Sequence, residues 1–487
     1  MDSSLKRESF ERQGLKNQNR LRRIARKNRV PVTTIYSGMV LRYPRLRATC
    51  TLASRQRGPP ANISRSILTP IWRRFTSTKN FVFINDHFEL NNELRDEYKP
   101  GGYHPVWLGD LLKDERYKII HKLGHGTFST VWAARDRQEG RYVALKINIA
   151  KKNDGTEARM LRAISSLPDN QYGGRSHIRQ IFDDFVVTGP NGDHQCFVLE
   201  LMGPSVLDLV NSHFHKNHRI PGALAKATAR QVLSAIDFLA GHGLVHGDIH
   251  TKNIAFPMPN LDELSESQFI DRFGLPKAVK AYGMGEQPSS TVHAPPYILD
   301  TLSFANEDSL HLLGTNPQVK IIDFDTAFPE SHPPDRSVTP IVLRPPEAIF
   351  GERQDRHVDR WAMGCLLFEL VCGQTPFTSL GAIPASMVAE MRQTLTDEFP
   401  ERWREKWEKM KGNFEGESIT RLTIHDCVQG SYFFKDRKPD FTDAELRTIV
   451  ELIDRMLKFE PSLRASPRDI LNHSWFDTDV KSESGRK

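Results

Sequence analysis

Several features that would narrow the class of this protein are missing from its sequence. Cysteine is scarce, with five residues among 487 and no Cys-x-x-Cys pair. Such an odd, scattered set argues against a disulfide framework and a cysteine zinc site, and it indicates a reducing compartment. No run of about 18 uninterrupted apolar residues occurs, which argues against a membrane-spanning helix. The remaining composition, 38% hydrophobic, is that of a globular protein with room for two or three cores.

Acidic residues are missing from one long stretch near the amino terminus. Residues 1–80 contain 19 lysines and arginines but three acids, and no carboxylate occurs between Arg12 and Asn85. This segment therefore carries a net +16, which leaves −9 for the rest of a chain whose total is +7. Its like charges and weak apolar periodicity do not support a packed core. We therefore predict that residues 1–96 form a disordered or targeting arm.

The basic arm has three competing interpretations. It can be a solvated tail, or a targeting sequence, because it is rich in arginine and serine, contains no acid and ends near Trp72–Thr78. The stretch that starts at Met39 resembles the start of a mitochondrial presequence. Nucleic-acid contact is the third interpretation, although few aromatic residues are interleaved with the basic ones. We expect a cytoplasmic or nuclear protein, with the mitochondrion as the alternative location.

The rest of the sequence predicts an α+β fold with two lobes. In residues 97–202, β-like runs at 117–123, 130–134, 142–147, 180–187 and 195–201 accompany one helical segment at 156–165, which favours a small antiparallel sheet with one helix. Residues 203–487 are mainly helical, with helices predicted at 358–372, 385–395 and 443–458. Two insertions are expected in this second lobe, at about 257–317 and 380–440, and such long segments are functional or disordered.

A glycine loop and a lysine mark the first candidate site. Gly124 and Gly126 lie between two predicted strands, where the missing Cβ atoms let backbone N–H groups approach phosphates. Lys146 ends an apolar strand and alone would be read as a solvent-facing side chain. After a glycine loop, it is better interpreted as a charge on nucleotide phosphates. Glu157 on the following helix is the best candidate to orient it, since the competing Asp154 falls before that helix.

Two further strings supply the remaining groups for phosphoryl transfer. In His246–Asn253, Asp248 precedes Asn253 by five residues, and Asp323 follows the apolar strand run that starts at Val319. We interpret Asp248 as the residue that orients the attacking hydroxyl, and Asn253 and Asp323 as ligands of Mg²⁺ bound with ATP. Asp248 could instead be an aspartate that caps a turn, but this interpretation does not explain why Asn253 and Asp323 follow it in this order.

Together these strings resemble the motifs of eukaryotic-type protein kinases over residues 117–476. Arg344-Pro-Pro-Glu347 stands where that family has Ala-Pro-Glu, and Asp359 and Arg464 follow in the family's order. The resemblance implies a two-lobed serine/threonine kinase in which Glu347 pairs with Arg464 and Asp359 steadies the catalytic loop. The catalytic residues that it implies are Lys146, Asp248 and Asn253. The nucleotide-binding positions that it implies are Leu123, Gly124, His125, Gly126, Thr127, Phe128, Ser129, Val131, Ala144, Lys146, Glu157, Glu200 and Met202.

Two shorter strings indicate a group within that family. Gly101–Val106 (Gly-Gly-Tyr-His-Pro-Val) and Ser129–Trp132 (Ser-Thr-Val-Trp) are most similar to the kinases of Ser/Arg-rich splicing proteins. This resemblance implies an Arg/Ser-rich protein substrate and a role in the regulation of mRNA splicing, and we expect a monomer. Residues 381–440 contain 11 acids and 10 bases, so charge alone does not predict a docking groove for such a substrate there.

Three positions depart from the family pattern. Gly247 replaces the arginine that clamps an activation-loop phosphate, and only 23 residues separate Asp323 from Glu347, so we hypothesise activity without phosphorylation of that loop. His250 replaces a lysine that touches the γ-phosphate, with Lys252 as a potential substitute. Asp325 replaces a glycine and favours a loop held in one state. A catalytically weak nucleotide-binding scaffold and a kinase-like small-molecule phosphotransferase are the alternative functions.

Overall fold

The structure is a computed structural model that describes most of the chain after residue 91. It describes residues 82–83, 92–152, 155–214, 218–280, 292–304, 313–314, 316–378, 383–412, 421–433 and 438–477. All of them belong to one compact unit, Ser77–Lys487. Most of the predicted arm and the competing Asp154 lie outside the described residues. Across the described residues, no helix is long and apolar enough to cross a membrane.

Fourteen short and long strands occur in the described residues. They are β1 (Val82–Phe83), β2 (Leu111–Leu112), β3 (Tyr117–Gly126), β4 (Ser129–Asp136), β5 (Arg141–Asn148), β6 (Ile181–Gly189), β7 (Gly192–Glu200), β8 (Met202–Ser205), β9 (Leu244–Val245), β10 (Ile254–Pro257), β11 (Lys277–Lys280), β12 (Tyr297–Leu299), β13 (Lys320–Ile321) and β14 (Phe328–Pro329). The five strands predicted from sequence correspond to β3, β4, β5, β6 and β7, and their ends differ from the predicted ones by at most three residues.

The helices of the described residues are mostly in the second lobe. They are α1 (Thr156–Ser166), α2 (Val206–Ser212), α3 (Gly222–Gly241), α4 (Glu266–Phe273), α5 (Pro346–Ile349), α6 (His357–Cys372), α7 (Pro384–Thr394), α8 (Glu401–Lys411), α9 (Ile424–Tyr432), α10 (Asp443–Met456) and α11 (Pro467–Leu471). Five of them begin with a capping box, in which a Ser or Thr hydroxyl and the side chain three residues later satisfy the first free backbone N–H groups.

The first lobe is built on one antiparallel sheet of six strands in the order β2-β3-β4-β5-β7-β6. Strands β6 and β7 form a hairpin whose turn is Gly189-Pro-Asn-Gly192, as the turn residues predict. One face of the sheet packs into a cluster that includes Trp132, Val143 and Val198. The fold therefore confirms the predicted α+β architecture, with an antiparallel sheet in the first lobe and helices in the second.

The second lobe is held by apolar side chains from its longest helices. Helix α6 is buried on nearly every side, and Trp361, Met363 and Leu367 are among its fully buried residues. Helices α3 and α10 pack against it. A helix that is apolar all round belongs in the centre of a lobe. This explains why residues 357–372 show no polar face in the sequence.

The first insertion packs on the sheet of the first lobe. Sequence order assigns residues 257–317 to the second lobe, but Met258, Phe269 and Phe273 form a cluster with Ile120 and Tyr142 of the sheet. Polar contacts reinforce this packing, because the backbone N–H of Tyr142 donates to an Asp262 carboxylate oxygen at 2.6 Å. The described part of the insertion contains α4, β11 and β12. It is thus an ordered addition to the first lobe.

The first lobe also begins earlier than the predicted boundary at residue 97. Glu93 is buried, and its carboxylate accepts hydrogen bonds from the Lys122 ammonium and from the Tyr98 hydroxyl. Lys122 is itself fully buried. An ionised lysine inside a protein requires such a partner. Glu93, which precedes the predicted boundary, is therefore part of the lobe's polar interior.

The second insertion contributes core residues. Trp403 and Trp407 on α8 are buried, and the Trp403 ring stacks on Phe350 with ring centres 4.8 Å apart. The Trp403 indole N–H donates to Glu352 at 2.6 Å. These two tryptophans anchor the insertion to the second lobe, so they are not exposed side chains available for docking a partner.

Candidate active site

The sheet register brings the glycine loop beside the predicted phosphate-binding lysine. Val131 on β4 pairs with Gly124 on β3 and with Lys146 on β5. Gly124 and Gly126 face open space where a Cβ atom would stand. The Tyr103 hydroxyl donates to the Gly126 carbonyl oxygen at 2.7 Å. The Gly-Gly-Tyr-His segment, singled out from sequence by resemblance alone, thus supports the glycine loop from behind.

Lys146 lies at the centre of a group of three carboxylates. Its ammonium is 2.8 Å from Glu157, 2.8 Å from Asp323 and 3.2 Å from Asp325. Burial alone would lower the pKa of Lys146, but the three carboxylates outweigh it and hold that pKa above its ordinary value. Lys146 is therefore a fixed positive charge at the inner end of the glycine loop.

Glu157 is the carboxylate that orients Lys146 from the first lobe. It lies on α1 and is almost fully buried. Burial raises its pKa to about 7, against the attraction of Lys146. Its other oxygen accepts the backbone N–H of Phe324 at 3.3 Å. Glu157 thereby connects the lysine to the backbone of the segment that carries Asp323.

The loop His246–Asn253, which corresponds to the catalytic loop of the family resemblance, brings Asp248 and Asn253 together. The Asn253 amide donates to the Asp248 backbone oxygen at 3.0 Å and to its carboxylate Oδ2 at 3.2 Å. The second carboxylate oxygen, Oδ1, is buried and has no hydrogen-bond partner among the described residues. A buried carboxylate oxygen left in this way is available to accept a proton or a hydroxyl from a ligand.

Asp359 braces this loop from below. Its two carboxylate oxygens accept the backbone N–H groups of His246 and Gly247, both at 2.8 Å. Gly247 has φ +80°, and a Cβ atom there would lie 3.2 Å from the Thr326 carbonyl oxygen. An arginine at this position would be strained. The glycine in place of arginine at position 247 therefore fits the backbone conformation of this loop.

His250 lies beside the Asp248 carboxylate. Its Nδ1 accepts the backbone N–H of Lys252 at 3.2 Å. Its Nε2 lies 3.4 Å from the Asp248 carboxylate and 3.2 Å from the Asn253 amide nitrogen. Lys252 itself is exposed. His250, and not Lys252, is therefore the side chain that stands beside Asp248.

Several of these residues, among them Lys146, Gly247 and Asp323, line one cavity of about 510 Å³ between the lobes. Gly126, Phe128 and Lys146 border it on the first-lobe side, and Asp323 and Thr339 on the other. The cavity has the volume and the concave form of a small-molecule site. It includes the inner part of the predicted nucleotide-binding set.

The outer nucleotide-binding positions lie along the same sheet and the strand that leaves it. Ala144 is fully buried, and Leu123 and Val131 pack beside it against the main core, which forms an apolar wall. Glu200 ends β7, and its side chain turns away to Lys320 at 2.8 Å. Met202 begins β8 and is buried. Any contact of these two residues with a nucleotide would be through the backbone.

The segment from Asp323 to Glu347 is held by uncharged contacts and ion pairs. The Thr339 hydroxyl donates to the Gly247 carbonyl oxygen at 2.8 Å, and the Thr326 hydroxyl to that of His246 at 3.0 Å. At its end, Arg464 binds Glu347 through two hydrogen bonds of 2.7 and 2.6 Å in a buried pair. The Glu347–Arg464 contact implied by resemblance is thus present.

Sequence reasoning missed several residues around this site. Lys152 forms an ion pair with Asp325 at 2.8 Å, and Glu330 pairs with Arg356. Neither pair is marked by a motif, since the partners of each are far apart in sequence. The position of Tyr103 was part of a recognised string, but its hydroxyl contact could not be derived from that string.

The chain also matches a family model. The model described as "Protein kinase domain" covers residues 117–301 and 311–476. This range contains the glycine loop, Lys146, the catalytic loop, Asp323 and the Glu347–Arg464 pair. The match therefore covers the site described above, apart from Tyr103.

Curated relatives agree with the family model. The chain is 30% identical over 427 residues to "Serine/threonine-protein kinase SRPK" of Physarum polycephalum, an alignment that covers 80% of this chain and 92% of that protein. It is 26% identical over 475 residues to "Protein kinase dsk1" of Schizosaccharomyces pombe, which covers 80% of this chain and 85% of that protein. "SRSF protein kinase 3" of Homo sapiens is 37% identical over 164 residues, 32% of this chain and 28% of that protein. The chain belongs to the protein kinase family and is a serine/threonine protein kinase of the SRPK type.

Proposed function

We propose that this kinase transfers the γ-phosphoryl group of Mg-ATP to serine or threonine hydroxyls of Arg/Ser-rich proteins. The observation that carries the phosphoryl-transfer part is that Lys146 and Asp323 meet at 2.8 Å in the wall of one cavity, which Gly247, the neighbour of Asp248, also lines, although these residues come from three separate parts of the sequence. A fixed ammonium, a carboxylate with an unused oxygen and a half-exposed carboxylate are the groups that this reaction uses.

Each residue has a distinct role in this proposal. Asp248 accepts the proton of the attacking hydroxyl through Oδ1, while Asn253 holds its other oxygen in place. Lys146 neutralises charge on the nucleotide phosphates, and Glu157 keeps it at the correct depth. Phosphoryl transfer requires positioning and electrostatic stabilisation more than covalent chemistry, and these fixed charges are groups of the type that provide both.

Mg²⁺ fits the residues present. One oxygen from each of Glu157, Asp323 and Asp325 lies within 4.8 Å of the others, and carboxylate oxygens are the ligands that Mg²⁺ prefers. Asp323 and Asn253 are the residues that would hold it, because Glu157 is already committed to Lys146 and to the Phe324 backbone. When bound, the ion neutralises charge on the β- and γ-phosphates.

The proposed independence from activation-loop phosphorylation is supported by the contacts of the loop. Thr339 and Thr326 hold it to the catalytic loop through hydroxyl hydrogen bonds. Glu330, a carboxylate, accepts hydrogen bonds from Arg356. A carboxylate paired with an arginine can order a loop, as a phosphate on the activation loop does in other kinases.

The Arg/Ser-rich substrate class is supported by the names of relatives and not by a charged groove. The printed name of "SRSF protein kinase 3" and the SRPK-type matches favour this class. In residues 381–440, acids and bases nearly balance, and the two tryptophans there are buried. Substrate class therefore has to be decided by assay.

The test is phosphotransfer from labelled Mg-ATP by the recombinant full chain, beside Asp248→Asn. An Arg/Ser-repeat peptide, a Lys/Ser-repeat peptide of equal charge and a generic basic protein are the acceptors. We expect transfer to the Arg/Ser peptide that disappears in Asp248→Asn, while ADP affinity stays near that of the wild type. Equal transfer to both peptides would keep the kinase activity and reject the substrate class.

The alternative functions predict other results. Nucleotide binding with no transfer to any protein by wild-type enzyme would support a scaffold. Metabolite-dependent ATP turnover without protein phosphorylation would support a small-molecule phosphotransferase.

For location, we propose the cytoplasm or nucleus, with the mitochondrion as the alternative. Fluorescence of the full chain carrying a carboxyl-terminal tag, compared with a chain that lacks residues 1–80, tests the basic arm. Mitochondrial signal that is lost on deletion would favour the alternative.

A further inference from the structure

Lys152 belongs to no sequence motif, yet it lies where three parts of the site meet. It follows β5 by four residues, and its ammonium is 2.8 Å from the Asp325 carboxylate. The same ammonium lies 5.4 Å from the centre of the Phe128 ring, at the tip of the glycine loop. Phe128 is 51% exposed, so the lysine is its neighbour at the mouth of the cavity and not in a core.

Asp325 lies two residues after Asp323, whose backbone is strained. Asp323 has φ +65° and ψ +76°, in the left-handed region that L-residues adopt only where the surroundings enforce it. Its side chain makes no capping hydrogen bond to the short helix Phe324–Thr326 that follows, and it points to Lys146 instead. Contacts from the first lobe hold this segment: Glu157 accepts the Phe324 N–H, and Asp325 pairs with Lys146 and Lys152.

The charges around Asp325 show why a second lysine is needed. Asp325 is the third carboxylate near Lys146, after Glu157 and Asp323. One ammonium cannot offset three carboxylates at such short distances. Lys152 supplies a second ammonium 2.8 Å from Asp325. Because Lys152 follows β5 by four residues, this ion pair connects Asp325 to the first lobe.

We propose that Lys152 is a positioning residue for phosphoryl transfer: its ion pair with Asp325 holds the segment that carries Asp323, and its place beside Phe128 ties that segment to the glycine loop. This inference rests on the proposed function and names a device within the same site. Lys152 acts through Asp325 and not by binding phosphate, because its ammonium is already paired.

A double-mutant cycle in the full chain separates these two roles. The variants are Lys152→Met, Asp325→Asn and the two combined, with Lys152→Arg as the conservative rescue. Lys151→Met is the matched control, since Lys151 is exposed and adjacent. We expect Lys152→Met to lower kcat about tenfold, equivalent to about 1.4 kcal/mol of transition-state stabilisation, with KM for ATP changed less than threefold. Lys152→Arg should recover most of kcat, and Lys151→Met should match wild type.

The combined variant decides the mechanism. If Lys152 acts through Asp325, Lys152→Met should cause no further loss in the Asp325→Asn background. Hydrogen exchange of the apo protein gives a readout that does not depend on turnover. Amides of residues 320–330 should exchange faster in Lys152→Met, but not in Lys151→Met.

Three outcomes would overturn the inference, provided that wild-type enzyme transfers phosphate. They are wild-type kcat in Lys152→Met, independent losses that multiply in the combined variant, and a raised KM for ATP at constant kcat. The last would make Lys152 a direct phosphate ligand. Absence of transfer by the wild type would instead refute the proposed function.

Discussion

The buried pair Glu347–Arg464 allows a prediction whose size follows from the structure. Arg464 is 2% exposed and donates two hydrogen bonds to Glu347, and its remaining N–H groups meet the carbonyl oxygens of Lys458, His357 and Phe459. Glu347→Gln keeps the shape but removes the negative charge, which leaves the buried guanidinium without its paired carboxylate. Removing one partner of such a pair costs about 3–5 kcal/mol of unfolding free energy.

Urea unfolding of the full chain, followed by tryptophan fluorescence, measures this loss. Trp361 lies beside Arg464, 5.1 Å from its guanidinium carbon, so the signal reports on the same place. Glu401→Gln is the matched control because Glu401 forms an exposed pair with Arg404, and such pairs contribute about 0–1 kcal/mol. The double variant Glu347→Gln/Arg464→Met should recover part of the loss. A cost below about 1 kcal/mol, or one equal to that of Glu401→Gln, would refute the reasoning.

Three further predictions concern the site and its pH dependence. His250→Ala should lower kcat by about 10²-fold, the cost of losing one polar group that touches the catalytic carboxylate, whereas Lys252→Ala should stay within twofold; equal effects would contradict the argument from the place of His250 beside Asp248. Glu157→Gln should lower kcat at least tenfold with KM for ATP less affected, measured by steady-state kinetics; wild-type kcat would show that Asp323 and Asp325 alone can orient Lys146. Burial lowers the pKa of both His104 and His121 to about 4, below the unfolded value of about 6.5. Above pH 6.5 both histidines are neutral in either state. As pH falls from 6.5 toward 4, only the unfolded chain binds the protons, so the free energy of unfolding decreases. At pH 5 each histidine should lower the free energy of unfolding by about 2 kcal/mol. In thermal melts, the melting temperature of His121→Gln should therefore fall less between pH 7 and pH 5 than that of the wild type.

Much of the site could be read from the sequence because its elements are local. Gly124, Lys146, Asp248 and Asp323 each lie in or next to an apolar run that is visible in the sequence. Their order along the chain, with the short motifs around them, was sufficient to group them. Roles beyond that grouping, such as the Glu347–Arg464 pair, came from resemblance to a family.

Sequence could not locate contacts between segments that differ greatly in position and carry no pattern. The insertion at 257–317 was predicted as a functional or disordered part of the second lobe, but Phe269 and Phe273 pack on the first-lobe sheet. Its apolar residues are too few and too irregularly spaced to reveal which surface they cover. Glu93 likewise looked like part of the arm until its burial against Lys122 was known.

The sequence by itself determined the α+β class, the five central strands, the family and the candidate nucleotide-binding residues, because hydrophobic period and short motifs are properties of neighbouring residues. Only the tertiary structure decided that Lys152 faces Asp325, that His250 stands beside Asp248, and that Gly247 adopts φ +80° where an arginine would be strained. The first two depend on distances between groups that the chain brings together only on folding. An ion pair is set by its three-dimensional neighbours, and no local pattern encodes it.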